Sequence, residues 1–394
     1  MARAALSVEA EATTSREAAA VYGAFIIFGL GSWSSINAIF VQSSFLVAEL
    51  PEKWALSTWI AVALQVANLA VLLFLRPLLA KFVSFAVPSA ALLLTATGAS
   101  LGLALGGFRA TAWIFGAQRS VGLLLLTFFA GIASCGSSLT FYPLAAAYPR
   151  RYTTALAIGE GLSGSCAGVL GMLQSFNVLP KSFAAAFAFS LALCLCALLA
   201  LLFIDRHHAA AKLRSDGARS DGALMETPAD VPSDLMGQLL HFRAGMLALF
   251  WGSALNFGLL PSLNPIACSG FSNAQEVLLW SNAVIYGFDP ISRLLTAFTN
   301  FRHFWSLTAL FTFAALLVVA VAKTKSLLGE WVVPAANVAF AAGFGYARTM
   351  AFLVLKDLDS LAPRLYAAAG AAVQAGSFFG TVVALLLVEV LKVF

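Results

Sequence analysis

Long apolar segments recur along the whole chain, and they constrain its fold more than any other feature. A helix needs about 20 predominantly apolar residues to cross the hydrocarbon core of a bilayer. Hydrophobic residues make up 61% of the chain and charged residues 10%, against about 25% charged in soluble domains. We therefore predict an all-α polytopic protein with about eleven transmembrane helices in a lipid bilayer. The predicted spans are residues 18–46, 55–79, 83–106, 119–146, 152–174, 182–204, 239–262, 273–298, 304–322, 330–354 and 364–391.

A polar stretch divides these apolar segments into two groups. It follows the sixth segment, carries mixed charge with Gly and Pro, and has no sustained apolar period, which is typical of a flexible linker. The predicted organisation is a cytosolic N-terminal tail (1–17), an N-terminal six-helix half (18–204), a cytosolic linker (205–238) and a C-terminal five-helix half (239–394).

The Lys and Arg residues predict the orientation, because cytosolic loops of membrane proteins are enriched in them. With the N-terminus in the cytosol, almost twice as many of these residues fall on the cytosolic side as on the external side. An odd number of spans then places Phe394 outside the cell. The same enrichment accounts for the net charge of +5, so we expect no nucleic-acid partner. No pattern in the sequence specifies an oligomeric state.

Amide and aromatic side chains mark the span faces that should point away from lipid, because polar groups in a bilayer need protein or water around them. Trp33 and Asn37, for example, lie four residues apart and share one helix face. Such groups suit a flat, hydrogen-bonding substrate, and the competing interpretation is that the amides only bridge helices. The candidate substrate-binding residues are Trp33, Asn37, Gln65, Asn68, Phe141 and Asn256.

The stretch "LAIGEGLSGS" places Glu160 inside the fifth span among Gly and Ser residues. A charge at the centre of a bilayer helix costs roughly 2.5–3.5 kcal/mol on insertion scales, so this carboxyl needs an explanation. Small neighbours allow close helix packing, and we expect an enclosed Glu160 in its neutral form. It either ties the fifth helix to a neighbour or lines a translocation path as a coupling or gating residue.

Other features inside the spans are predicted to be structural. Asp289 and Arg293 lie four residues apart and should pair. Arg348 is about 12 Å along the helix axis from Lys356, close enough to extend towards the cytosol. Gly376 and Gly380 form a G-x-x-x-G motif, which favours close helix packing.

An enzymatic function receives little support from the sequence. Residues 161–164, "GLSG", are similar to the motif of rhomboid intramembrane proteases, but all four His residues lie in the linker or at span ends, away from the serine they would have to activate. The five Cys residues have no metal-binding spacing, so we expect no metal and no cofactor. An alternating-access carrier accounts for both the two groups of spans and the polar inner faces. A rhomboid-like protease is the distant alternative.

Several stretches resemble the eukaryotic riboflavin transporter family of solute carriers. They are "FGLGSWSSINAIFVQSSFLVAELPEKWAL", "SSLTFYP", "YTTALAIGEGLSGSCAG", "NFGLLPSLNPIACSGFSNA", "YARTMAFLVLKDL" and "AAAGAAVQAGSFFGTVVALLLVEVLKVF", in the family's order. The resemblance implies a major-facilitator-like 6+5 arrangement. It also implies transport of riboflavin (vitamin B2) across the plasma membrane, either facilitative or proton-linked. A carrier for another flat heterocyclic solute, such as a nucleoside, is the alternative.

The chain departs from the family pattern at positions that bear on coupling ion, pH dependence and flavin preference. Gln42 stands where the family usually has an acid, and Ser44 where it has a proline. Cys268 lacks the second cysteine that relatives tend to carry in a later external loop. Arg348 replaces a lysine, and Arg293 stands at an uncharged position.

The chemistry of riboflavin fits the candidate residues. Trp33 or Phe141 could stack on its flat isoalloxazine ring, and the amides could bind the polar ring edge and the ribityl tail. Riboflavin is neutral near pH 7 and needs no counter-charge. A phosphorylated flavin would need several converging cations, which the spans are not expected to provide.

Overall fold

Helices dominate the structure, as the apolar segments predict. A computed structural model describes residues 2–79, 82, 84–114, 116–207, 235–296, 298–324, 329–356 and 362–390. The N-terminal bundle contains α1 (Ala2–Leu30), α2 (Ser34–Glu49), α3 (Leu56–Ala70), α4 (Arg76–Leu79), α5 (Ala86–Ala104), α6 (Val121–Ala146), α7 (Arg150–Ser175) and α8 (Phe183–Arg206). The C-terminal bundle contains α9 (Leu235–His241), α10 (Arg243–Ala254), α11 (Leu260–Cys268), α12 (Ala274–Leu295), α13 (Phe304–Thr324), α14 (Val332–Lys356) and α15 (Ala362–Leu385).

Short irregular turns join or extend several of these helices. Tight 3₁₀ turns occupy Lys53–Ala55 and Gly107–Arg109, and wide π-helical turns occupy Val71–Leu75, Leu255–Leu259 and Leu386–Val390. Most of the predicted linker 205–238 lies outside the described residues, between the end of α8 and the start of α9.

A helix lies at each of the eleven predicted span positions. Within the described part of the chain, nine helical stretches are long and apolar enough to cross a membrane, and the bent pair α1 and α2 makes a tenth if it forms one span. The helix α12 is not among them, since it carries Glu276, Asp289 and Arg293. It packs instead against α7 and α14, so protein rather than lipid surrounds much of its surface.

The first span, predicted over 18–46, is broken rather than continuous. Its two parts meet at residues 31–33 with a bend of 48°. The backbone tightens at the break, where the Ser32 amide bonds to the Gly29 carbonyl at 3.1 Å. The Ser32 hydroxyl donates to the same carbonyl at 2.7 Å. A serine that bonds to nearby carbonyls competes with the helical ladder and often bends a helix.

A short β-hairpin precedes α6, between the third and fourth predicted spans. Strands β1 (Ala112–Ile114) and β2 (Ala117–Arg119) pair antiparallel, with Ala112 opposite Arg119. Gly116 closes the turn at φ +75°, a conformation that glycine adopts without strain. Because Arg119 belongs to the hairpin, the fourth span begins at Val121 rather than at residue 119.

Each bundle has its own buried apolar core. The largest cluster of buried side chains runs from Phe242 to Val373, and two further clusters lie between Val21 and Ile204. The bundles meet where α7 packs along α12 and where α3 packs against α15 and α11. On α7, a Cβ at Gly164 would stand 3.0 Å from the ring of Tyr286, so this glycine sets the close approach of α12.

The predicted close packing at the G-x-x-x-G motif is confirmed. A side chain at Gly376 or Gly380 would collide with the backbone carbonyls of Phe250 or Ala254, so the G-x-x-x-G motif does allow α15 to pack closely on α10. Cys268 is buried with a free thiol, which lies 4.0 Å from the Ser281 hydroxyl.

Candidate binding cavity between the bundles

Glu160 lies at the centre of a polar network that joins the two bundles. Its side chain is buried on α7. One carboxyl oxygen, Oε1, accepts a hydrogen bond from Trp33 Nε1 at 3.0 Å. The other, Oε2, accepts from the Tyr142 hydroxyl at 2.7 Å and from Arg293 Nη1 at 3.0 Å. Arg348 Nη2 lies 3.8 Å from the same oxygen, beyond ordinary hydrogen-bond length.

This geometry corrects three expectations. Three donors and a second guanidinium surround the Glu160 carboxyl, an arrangement that matches an ionised carboxylate rather than the expected neutral acid. Arg348 does not extend towards the cytosol but approaches Glu160. The spans also bring more cations together than expected, because Arg293 and Arg348 both lie within 4 Å of one carboxyl oxygen.

The predicted pairing of Asp289 with Arg293 is confirmed, but the arginine does more than pair within its own helix. Arg293 Nη2 lies 2.8 Å from Asp289 Oδ2, while Nη1 reaches across to Glu160. Arg293 is therefore a bridge between two carboxylates, one on α12 and one on α7. Such a buried pair is costly to break from one side, because the remaining charge loses its partner.

A cavity opens beside this network, between the bundles. It is narrow, with a volume of about 60 Å³, smaller than the roughly 300–1,000 Å³ typical of sites that enclose a small molecule. Helices from both bundles contribute to its walls, and residues at the α1–α2 break and in the π-helical turn Leu255–Leu259 lie among them. Its lining includes Trp33, Asn37, Glu160, Asn256, Phe257, Tyr286, Asp289, Arg293, Phe344 and Arg348.

Two aromatic rings in the lining of this cavity stack directly on each other. Trp33 from the N-terminal bundle and Phe257 from the C-terminal bundle stack with centroids 5.2 Å apart and planes inclined by 23°. Each ring stands at an interruption of a helix, Trp33 at the α1–α2 break and Phe257 in the π-helical turn. Such interruptions are a common way for membrane carriers to present side chains and backbone to a central site.

The structure brings half of the predicted substrate-binding residues to the cavity. Trp33, Asn37 and Asn256 line it, and so does Glu160. Asn37 Nδ2 donates to the Ser163 hydroxyl at 2.9 Å, which fixes the amide beside Glu160. Among the described residues, the Asn256 side chain forms no hydrogen bond, so its donors and acceptor are available to a bound molecule.

Gln65, Asn68 and Phe141 lie outside the lining of this cavity. Gln65 Nε2 donates to the Ser377 hydroxyl at 2.6 Å, across the contact between α3 and α15. Asn68 donates to Gln65 Oε1 at 3.1 Å. Phe141 is buried within the N-terminal bundle, with its ring 4.2 Å from that of Phe28. These contacts match the competing interpretation of the amides as bridges between helices.

Sequence reasoning missed several lining residues. Phe257 directly follows Asn256, but no sequence signal distinguishes it from the many other Phe residues of the spans. Tyr286 lies one turn before Asp289 on α12, so the helical spacing of polar residues there could have indicated it. Arg293 and Arg348 were assigned to other roles, because their shared partner lies on a helix that is distant in the sequence.

The bundles also meet through a cluster of side chains at the N-terminal end of α3, near the β-hairpin. Trp59 Nε1 on α3 donates to Glu389 Oε1 in the last turn after α15, at 2.8 Å. The Arg119 guanidinium lies over the Trp59 ring at 4.1 Å from its centroid. Further along this side, Asn282 on α12 donates to the Phe40 carbonyl at 3.0 Å. The bundles are in contact at this end.

The serine of the protease-like motif has a packing role. Ser163 is fully buried, accepts from Asn37 and donates to the Glu160 carbonyl at 2.6 Å. A nucleophilic serine needs a base within hydrogen-bond reach, and neither partner of Ser163 can act as one.

Comparison with known proteins agrees with this architecture. The family model described as "Solute carrier family 52, riboflavin transporter" matches residues 18–185. Solute carrier family 52, riboflavin transporter, member 3 of Bos taurus is 37% identical over 150 residues, which cover 37% of this chain and 32% of that protein. Member 3-A of Danio rerio is 27% identical over 93% of this chain and 95% of its own length. Riboflavin transporter rft-1 of Caenorhabditis elegans is 26% identical over 93% and 96%.

Solved structures of two transporters share this fold. A D-xylose–proton symporter matches with a TM-score of 0.57 and 11% identity, over 93% of this chain and 88% of the other. The nucleoside transporter NupG matches with a TM-score of 0.56 and 14% identity, over 92% and 89%. These matches identify the major-facilitator-like fold. Taken with the relatives that align along nearly its whole length, they make this multi-pass membrane protein similar to the solute carrier family 52 of riboflavin transporters.

Proposed function

We propose that this chain carries riboflavin across the plasma membrane by alternating access, with the cavity between the bundles as its central site. The observation that supports this most is the composition of that cavity. It combines stacked aromatic rings, contributed by both bundles, with amide and hydroxyl groups. The relatives that match nearly the whole chain are named as riboflavin transporters.

The cavity suits a flat, neutral and hydrogen-bonding solute. Trp33 and Phe257 offer aromatic faces for the isoalloxazine ring. Asn37, Asn256 and Tyr286 offer groups for the polar atoms of the ring and the ribityl tail. The charged groups in the wall are two carboxylates and two guanidiniums, so the cavity provides no net charge for which an uncharged solute would have to compensate.

Transport requires the two halves, 18–204 and 239–394, to move against each other. The contact of α7 with α12 runs beside the cavity and depends on small residues such as Gly164, which allow the helices to slide. The pair of Glu160 with Arg293 crosses the same contact. We infer that Glu160 is the coupling or gating residue and exchanges partners between the inward-facing and outward-facing states.

The proposed orientation has the N-terminus and the linker 205–238 in the cytosol and Phe394 outside. The enrichment of Lys and Arg in the segments assigned to the cytosol supports it. The cluster of Trp59, Glu389 and Arg119 then lies on the external side.

The direct test is uptake of radiolabelled riboflavin by liposomes that contain the purified chain. We expect saturable uptake that unlabelled riboflavin blocks and excess uridine does not. Trp33→Leu should weaken uptake, whereas the matched change Trp113→Leu, at a 77% exposed hairpin residue, should not. An imposed pH gradient separates proton-linked from facilitative transport. Uptake no greater than in empty liposomes would overturn the proposal, and equal competition by uridine would favour the nucleoside alternative.

A further inference from the structure

The polar groups around the cavity fall into two sets, those that are hydrogen-bonded to other side chains of the protein and those that are not. Glu160, Arg293 and Asp289 bond to one another, and Trp33 Nε1 bonds to Glu160. These groups hold the wall in place. Among the described residues, the guanidinium of Arg348 forms no hydrogen bond, and neither does the Tyr286 hydroxyl. The second set faces the space that a ligand would fill.

Arg348 differs from Arg293 in how its donors are used. Arg293 Nη1 and Nη2 are both engaged, with Glu160 and Asp289 respectively. Arg348 is held near Glu160 by charge at 3.8 Å, yet its side chain remains 11% exposed to the cavity. A guanidinium carries five N–H donors in a planar fork, so Arg348 offers paired donors to whatever occupies the cavity.

The position of Arg348 relative to the aromatic rings limits what that occupant can be. Its guanidinium carbon lies 6.0 Å from the centroid of the Phe257 ring, the ring that stacks on Trp33. Because Arg348 also lines the cavity, a planar ligand bound beside these rings comes within reach of the guanidinium and can present one edge to it. Two adjacent hydrogen-bond acceptors on that edge would each accept from one N–H group of the guanidinium. Carboxylates bind arginine in the same bidentate way.

We propose that Arg348 is the specificity-determining residue of the cavity and binds the carbonyl-bearing edge of the substrate ring. This inference rests on the proposed function and deepens it. On each side of the isoalloxazine pyrimidine-dione, a ring nitrogen stands next to a carbonyl oxygen, which gives two adjacent acceptors. Arg348 donates to one of these pairs while the ring stacks on Trp33 or Phe257. The residue selects rings that carry such carbonyls and discriminates against flat rings that lack them.

The test couples a change in the protein to a change in the ligand. Binding of radiolabelled riboflavin to the purified chain is measured in competition with 2-thioriboflavin and 4-thioriboflavin, in which sulfur, a weak acceptor, replaces one carbonyl oxygen. The wild-type chain should prefer riboflavin over at least one of them. Arg348→Lys keeps the positive charge but loses the planar pair of N–H donors. Arg348→Gln removes the charge and leaves one amide NH₂ group as donor. Both should weaken riboflavin binding by about tenfold or more, as expected for a hydrogen bond from a charged donor, and should erase the preference.

Controls and outcomes separate this inference from the proposed function. Arg243→Lys, at an exposed residue of α10, should leave both affinity and preference unchanged. Equal weakening for all three flavins in the Arg348 variants, with the preference intact, would mean that Arg348 only shapes the cavity and would overturn the inference. Unchanged riboflavin binding in Arg348→Lys would overturn it as well. Failure of the wild-type chain to bind riboflavin would instead overturn the proposed function, and the inference with it.

Discussion

Arg293 Nη1 on α12 lies 3.0 Å from Glu160 Oε2 on α7, and this ion pair links the two bundles beside the cavity. The same guanidinium holds Asp289 through its other terminal nitrogen at 2.8 Å. Arg293 can therefore release Glu160 and still keep a carboxylate partner on its own helix. Glu160 likewise retains Trp33 and Tyr142 as donors from its own bundle. This contact can therefore open and close while each charged group keeps hydrogen-bond partners in its own bundle, which lowers the cost of changing state.

The first prediction concerns Glu160→Gln. We expect the variant to fold and reach the membrane, because the amide oxygen can still accept from Trp33 or Tyr142. Arg348 then loses its nearest counter-charge, and the link between the bundles weakens. Removing one partner of a buried ion pair costs about 3–5 kcal/mol, so the maximal rate of riboflavin uptake should fall at least about tenfold. Any dependence of uptake on external pH should also disappear. Initial-rate uptake across a pH series measures both effects.

The matched control for this substitution is Glu276→Gln, an exposed residue near the start of α12. It removes the same charge away from the cavity and should transport like the parent. If Glu160→Gln transports with the parental rate and pH profile, the carboxylate is dispensable and its role is limited to packing.

The second prediction separates cavity amides from bridging amides. Asn37→Ala and Asn256→Ala remove groups from the cavity wall and should raise the KM for riboflavin up to about tenfold, the equivalent of one neutral hydrogen bond. Gln65→Ala removes the bond to Ser377 between α3 and α15, so it should leave the KM unchanged and lower the maximal rate or the thermal stability. Kinetics at matched surface expression distinguish the two patterns.

Ser377→Ala provides an internal check on the bridging amide. Because Gln65 and Ser377 share one bond, the double variant should lose little more than either single variant. A raised KM in Gln65→Ala would show that this amide contacts the substrate after all.

The third prediction tests the close packing of α1 on α7. A Cβ at Gly29 would collide with the carbonyl oxygen of Leu156, whereas a Cβ at Gly23, on the same helix, meets nothing within 4 Å. Gly29→Ala should therefore destabilise the protein by about 1–3 kcal/mol through overpacking. Gly23→Ala should be neutral or stabilising by up to about 1 kcal/mol, because alanine favours the helix. Thermal unfolding in detergent measures both, and an equal melting temperature for the two variants would contradict the packing argument.

The positions of the helices could be predicted from the sequence because bilayer thickness fixes the length of an apolar span. The break at residues 31–33 could not, since Gly and Ser occur in unbroken membrane helices as well. The bend depends on Ser32 bonding to the Gly29 carbonyl, a local competition that composition does not decide. The polar helix α12 was identified as a span despite its charges, and protein packing explains how it tolerates them.

The candidate site could be predicted only in part, because contacts between distant segments of the chain are not visible in the sequence. Asn37 and Gln65 look alike in the sequence, as amides on inner helix faces. They differ because α2 borders the cavity, whereas Gln65 meets α15 where the bundles touch. Arg348 was expected to extend towards nearby Lys356, since the sequence shows only neighbours along the helix. Its actual neighbour, Glu160, lies 188 residues earlier and comes close only through the contact between bundles.

The fourth prediction concerns topology. An epitope added after Phe394 should be stained by antibody in intact cells, because the proposed orientation places this end outside. An epitope inserted into the linker 205–238 serves as the matched control and should be stained only after permeabilisation. The opposite pattern would reverse the orientation, and staining of neither site before permeabilisation would change the number of spans by one.

The fifth prediction concerns the contact between the bundles at the N-terminal end of α3, near the hairpin. Trp59→Phe keeps an aromatic ring under the Arg119 guanidinium but removes the N–H that bonds to Glu389 between the bundles. Losing one hydrogen bond of about 0.5–1.5 kcal/mol should shift the equilibrium towards states open on this side by up to about tenfold. Ser44 is fully buried here, where its hydroxyl accepts from Asn282 at 3.3 Å. A cysteine at Ser44 should therefore react faster with a membrane-impermeant maleimide when Trp59→Phe is also present.

Two companion variants make this measurement specific. Glu389→Gln retains an acceptor for the Trp59 N–H and should change the labelling rate of Ser44→Cys little, whereas Glu389→Leu should accelerate it as Trp59→Phe does. Trp113→Phe, on the exposed hairpin, should have no effect. Riboflavin should slow labelling if the substrate stabilises a state that is closed on this side. Unchanged labelling in both Trp59→Phe and Glu389→Leu would mean that this hydrogen bond does not control the closure, and that the packing of α7 on α12 alone keeps the bundles together at this end.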